Sequence, residues 1–217
     1  MTQAREAIKY LLRKTFDIRE GEFRRAFFMQ ANIFLLISTL LIVKPSINAL
    51  FISEFGAENL PGAFILVAVV AAIISTIYSR VLRIYPLDKI ITGTLYFSIG
   101  TLVVFGTLLR FNVTVGWVLY AFYLWVSIYA VLSASQFWIF ANLVFNAREA
   151  KRLFGFIGAG AIAGGIFGGY LTSILAPVLG SENLLFVSAL LLIICIPITH
   201  DMCGGSLCPS YQDSIYP

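Results

Sequence analysis

Residues 26–53 read AFFMQANIFLLISTLLIVKPSINALFIS, an apolar run broken by a single charge, Lys44, and a single proline, Pro45. Roughly 20 consecutive apolar residues suffice for a helix to cross the hydrocarbon core of a bilayer, so this run is long enough to span. It is not expected to be a cleavable leader: the charged segment 1–25 precedes it intact, and no small-residue cleavage site follows Lys44 and Pro45. Outward from it, five more apolar runs follow at 60–80, 88–110, 114–145, 151–177 and 183–199, separated by short polar or Gly/Pro breaks.

The whole chain repeats that local reading. Of 217 residues, 59% are hydrophobic and 12% charged, and the mean hydropathy of +0.90 lies far outside the balance of a soluble globular domain. The expected fold is an all-α integral membrane bundle of six transmembrane helices occupying 26–199. Ile8, Leu11, Leu12 and Phe16 against Lys9, Arg13 and Lys14 make 1–25 an amphipathic segment on the membrane surface. Residues 200–217, with Gly204, Gly205, Pro209 and no Lys or Arg, read as a flexible tail. The abrupt change there also fits a fragment of a longer chain.

Basic residues set the orientation through the positive-inside rule. Arg5, Lys9, Arg13, Lys14, Arg19, Arg24 and Arg25 precede the first helix, Arg80, Arg83 and Lys89 follow the second, and Arg148, Lys151 and Arg152 follow the fourth. The opposite loops hold Arg110 beside Glu54, Glu58 and Glu182. The N-terminus is therefore expected in the cytoplasm, with the C-terminus on the same side and the chain in the inner (plasma) membrane. The net charge of +4 is accounted for by these anchoring positions and by anionic headgroups, so no nucleic-acid partner is expected. Short loops leave no room for a catalytic domain, no phosphate-binding loop follows a strand, and the chain is not expected to be an enzyme. Cys195, Cys203, Cys208 and the single His200 lack the spacing of a metal site, and no cofactor is expected.

Polar residues inside the spans are the candidates for function. A charge at the centre of a span costs about 2.5–3.5 kcal/mol on insertion scales and usually faces protein or water. Lys44 has Asn48 four residues on, and Pro45 frees the carbonyl of Leu41, which together make a broken polar patch suited to a substrate. Snorkelling of Lys44 to the headgroups is the competing reading. Helix four carries Trp125, Tyr129, Gln136, Trp138 and Asn142. Tyr129 and Gln136 share a face and either line a cavity or pack; Trp117 and Tyr120, near the outer end, read as interfacial belt residues. Helix five holds Gly160, Gly164, Gly165, Gly168 and Gly169 in three small-xxx-small spacings, a face for close packing or for rocking against a neighbour. At the cytoplasmic side Arg80, Arg83, Asp88, Arg148, Glu149, Lys151 and Arg152 form a charge cluster that either anchors topology or makes inter-helix ion pairs, with Asp88 and Glu149 as the available acids.

Three segments carry a family resemblance: Val43-Lys44-Pro45 through Ser53-Glu54-Phe55-Gly56-Ala57, Gln136-Phe137-Trp138 with Phe140-Ala141-Asn142, and above all Ala150-Lys151-Arg152-Leu153-Phe154-Gly155-Phe156-Ile157-Gly158-Ala159-Gly160. Over about residues 20–195 the chain resembles the N-terminal half of the ATP/ADP translocase-like nucleotide transporters, a branch related to the major facilitator superfamily. The resemblance implies six helices of a twelve-helix fold, nucleotide or other organic-anion transport by alternating access, and a first-helix lysine, here Lys44, at the substrate site. The partners it implies are the lipid bilayer, a nucleotide or organic anion, and a second copy or second transporter half. Relatives often read Lys-Pro-Leu-Arg-Asp-Ala-Leu where this chain has Lys44-Pro45-Ser46-Ile47-Asn48-Ala49-Leu50. That loss of an arginine and an aspartate favours an alternative, a non-transporting anchor or assembly subunit derived from a transporter fold.

Overall fold

The computed structural model describes residues 22–111 and 116–204, with the side chains of residues 181, 182, 203 and 204 outside that description. The expected amphipathic segment, up to residue 21, and the expected tail, from residue 205, lie outside the described residues. The rest is helical: α1 (Glu22–Phe55), a 3₁₀ turn (Ala57–Asn59), α2 (Leu60–Val81), α3 (Leu87–Arg110), α4 (Gly116–Val144), and a last helical stretch divided into α5 (Ala147–Gly180) and α6 (Asn183–Met202). All six are long and apolar enough to cross a membrane, which makes the fold an all-α, multi-pass membrane bundle.

Local chemistry sets the helix ends. Gly56 ends α1 at φ 78°, ψ 160°, and Gly180 separates α5 from α6 at φ 77°, ψ 159°. Both lie in a backbone region open essentially to glycine alone. Pro61 sits in the first turn of α2, where its missing N–H costs nothing, and Pro86 precedes α3. α5 begins at Ala147, earlier than the expected 151, because the Asn146 N–H donates to the Glu149 carboxylate at 3.0 Å, one arm of a capping box.

At about 1.5 Å per residue, the 34 residues of α1 run about 51 Å, well beyond a hydrocarbon core of about 30 Å. α1 is the central helix, with 50% of its most apolar window buried against 6% for α2 and 11% for α5. Apolar burial gives little drive for helix association in lipid, so α2 leaves Phe64, Ile65, Val69, Ile73 and Ile77 exposed without penalty.

The core forms two apolar layers. One, centred on Phe51, Leu102, Phe122 and Leu185, fills the end of the bundle near Gly56 and Gly180. The other, with Met29, Phe137, Phe145, Leu153 and Met202, fills the basic end. Tyr120, expected at the lipid interface, instead packs with its ring centroid 5.0 Å from Phe51 and 5.2 Å from Phe55, and ties α4 to α1. Trp117 is exposed.

Candidate functional site

α1 and α5 meet along a stripe of glycines. A Cβ at Gly160 would fall 2.7 Å from the Gln30 carbonyl oxygen, one at Gly168 2.6 Å from that of Ser38, and one at Gly164 would collide with the backbone of Phe34. Gly165 only brushes Leu41, and Gly169 has nothing within 4 Å, so the five glycines read together divide into a packed row and an open edge. Hydrogen bonds pin the register of the packed row. Gln30 Nε2 donates to the Phe156 carbonyl at 3.1 Å, Ser38 Oγ to the Gly164 carbonyl at 3.0 Å, and Thr172 Oγ1 to the Leu41 carbonyl at 3.3 Å.

Lys44 lies beyond Leu41 on α1 and is exposed, while Asn48 is partly buried. The midpoint of α1 falls between Ser38 and Thr39, so Lys44 sits about six residues, or about 9 Å, from it. With the helix midpoint taken as the bilayer centre, a headgroup region about 15 Å away is within the reach of the Lys44 side chain.

Tyr129 and Gln136 are elsewhere. Both are buried and line a small internal cavity of about 30 Å³ bounded by α1, α3, α4 and α6. The four residues expected to share one substrate site therefore form two separate places: Lys44 and Asn48 do not line the cavity. Helical spacing identified a shared face for Tyr129 and Gln136; it carried no information on which face of α1 would meet them.

Asn32, passed over in the sequence, supplies the α1 side of the cavity. Its Nδ2 donates to Thr199 Oγ1 at 3.0 Å and to Cys195 Sγ at 3.2 Å. On the far wall Gln136 Nε2 donates to Thr94 Oγ1 at 3.0 Å. Polar residues within apolar spans are the signal that marks Asn32, Thr94 and Thr199, since hydroxyls and amides there usually bond across helices. Trp125 stacks on the Tyr129 ring at 5.4 Å, which holds that ring in place.

At the basic end, Arg152 Nη2 lies 3.1 Å from each carboxylate oxygen of Glu22, joining α5 to the start of α1. This corrects the expectation that Asp88 and Glu149 are the acids available there. Glu149 is engaged in capping α5, and Glu22 makes the ion pair with Arg152. Asp88 stands in the first turn of α3, where a carboxylate complements the helix dipole. Arg80, Arg83, Arg148 and Lys151 are exposed, in keeping with anchoring. Among the described residues no group of His, Cys, Asp and Glu is arranged to hold a metal ion.

Among the described residues the arrangement defines a class, a six-helix multi-pass membrane bundle with a polar layer inside it. No family model, curated protein or solved structure matches the chain.

Proposed function

We propose that the chain is transporter-like, moving a nucleotide or other organic anion by alternating access as one of two halves, the second being another copy or a separate half. Lys44 carries this reading: an exposed ammonium within a spanning helix is most stable facing protein or a water-filled space, and a facing half provides both. Pro45 beside it, which removes the helical donor to the Leu41 carbonyl, and the sequence resemblance around Lys44 and Ala150 to Gly160 support the same reading. In this proposal the basic end faces the cytoplasm of a cell whose inner membrane holds the protein.

A second reading, a non-transporting anchor or assembly subunit, is favoured by the cavity. A space of about 30 Å³ admits one or two water molecules, since each needs at least about 10–15 Å³, and no nucleotide. Under this reading Lys44 snorkels.

The two readings separate in detergent-solubilised protein. Under the transport reading, ATP, ADP or another organic anion raises the melting temperature of the wild type and not of Lys44→Ala, because a ligand that prefers the folded state stabilises it by about 2.7 kcal/mol at a hundredfold excess over Kd. No shift with any of these anions in a well-folded sample leaves the anchor reading.

A further inference from the structure

The two apolar layers meet at a polar seam, and each of four helices contributes to it at the residue where one layer gives way to the other. Asn32 lies between Met29 of the basic-end layer and Leu35 of the far layer, next to Ile33, the last basic-end residue of α1, and Thr94 lies between Leu87 and Leu95. Gln136 and Ser133 fall between Tyr129 and Phe137, and Thr199 between Cys195 and Met202. Four independent segments thus place amide or hydroxyl groups at one depth, around the same small cavity.

The direct hydrogen bonds do not use up the polar capacity of that seam. Asn32 and Gln136 each spend their NH₂ group on neighbours, which leaves two side-chain carbonyl oxygens as acceptors. The Ser133 hydroxyl turns back to the Tyr129 main-chain carbonyl, and its lone pairs stay available. The Tyr129 hydroxyl is buried near the Ser98 and Ser133 hydroxyls, yet among the described residues no atom meets it in hydrogen-bond geometry. Leaving such a group unbonded in an apolar interior is costly, and lipid cannot relieve it.

We propose that the cavity is a built water site, holding one or two water molecules that bond the Tyr129 hydroxyl and the amide oxygens of Asn32 and Gln136. Its volume of about 30 Å³ fits that occupancy, a buried water requiring at least about 10–15 Å³ and two to four polar partners. The lining carries no formal charge, which suits water over an inorganic ion. The water joins α1 to α4, where the direct side-chain bonds run instead from α1 to α6 and from α4 to α3, and it does so whether or not the protein transports.

Radiolytic footprinting of the purified full chain tests this. In vitrified samples bulk radicals cannot diffuse, so X-ray pulses oxidise side chains next to bound water. Phe51, 0% exposed in the far apolar layer, is the dry reference. Tyr129, 7% exposed, should be oxidised several-fold faster than Phe51, and Ser133→Val, which pushes methyl groups into the cavity, should bring Tyr129 down to the Phe51 rate. Oxidation of wild-type Tyr129 no faster than Phe51 overturns the proposal, and so does a folded Ser133→Val protein whose Tyr129 rate is unchanged. If Ser133→Val does not fold, the wild-type comparison decides alone.

Discussion

The Thr172 hydroxyl stands 3.3 Å from the Leu41 carbonyl oxygen, the acceptor that Pro45 deprives of its helical donor. Proline has no N–H to return to the residue four positions back, and the neighbouring helix supplies a hydroxyl in its place. The same hydroxyl lies 2.8 Å from the Gly168 carbonyl, so its one proton is shared between its own helix and α1. Thr172→Val should destabilise the protein by about 0.5–1.5 kcal/mol. In a Pro45→Ala background, where Leu41 regains its own partner, the same change should cost much less. Thermal melts of the four proteins of this double-mutant cycle check the coupling.

The packed row and the open edge of α5 predict opposite responses to one methyl group. Gly164→Ala and Gly168→Ala put a Cβ into the α1 backbone and should each cost about 1–3 kcal/mol, with the helices forced apart. Gly169→Ala meets nothing within 4 Å and should be neutral or stabilising by up to about 1 kcal/mol through helix propensity. Melting temperatures in one detergent rank the three.

The ion pair of Glu22 with Arg152 joins the start of α1 to α5 with side-chain exposures of 9% and 24%. Arg152→Gln should cost about 1–3 kcal/mol, the range for a hydrogen bond to a charged group that leaves its partner behind. Glu22→Gln combined with Arg152→Gln should cost less than the sum of the two single changes, because both charges go together. Salt should weaken the pair only slightly, given how little of Glu22 is exposed.

Asn32 spends both amide protons on α6, at Thr199 and Cys195. Asn32→Ala should destabilise by about 1–3 kcal/mol through lost bonds and an enlarged cavity. Cys195, buried in the wild type, should then react faster with a thiol reagent. Unchanged reactivity in a folded variant would show that α1 does not control access to that thiol.

Gly56 and Gly180 share one backbone conformation, at φ 78° and 77°. Neither has an atom near its would-be Cβ, so the cost of Gly180→Ala comes from the backbone alone, about 1–3 kcal/mol. A proteolysis assay at the α5–α6 junction should show faster cutting in this variant.

What the sequence determined by itself is the set of helices. A span is a local property: about 20 apolar residues between breakers suffice to define one, whatever surrounds them, and the runs around Leu40, Val70, Leu102, Val126, Gly164 and Leu192 all became helices long enough to cross a membrane. The glycine row of α5 was legible for the same reason, since i, i+4 spacing is fixed by helix geometry. Only the tertiary structure decided which faces meet. In lipid the polar and apolar faces of a helix are not sorted by water, so hydropathy does not say that Asn32 turns inward while Lys44 turns outward. Rotation of α1 is set instead by close contact of its backbone with Gly160, Gly164 and Gly168 and by the bonds from Gln30, Ser38 and Thr172. That rotation separates Lys44 from Tyr129 and Gln136. It also carries Asn32 to the cavity, because the position of one side chain around a helix depends on a partner helix more than a hundred residues away in the chain.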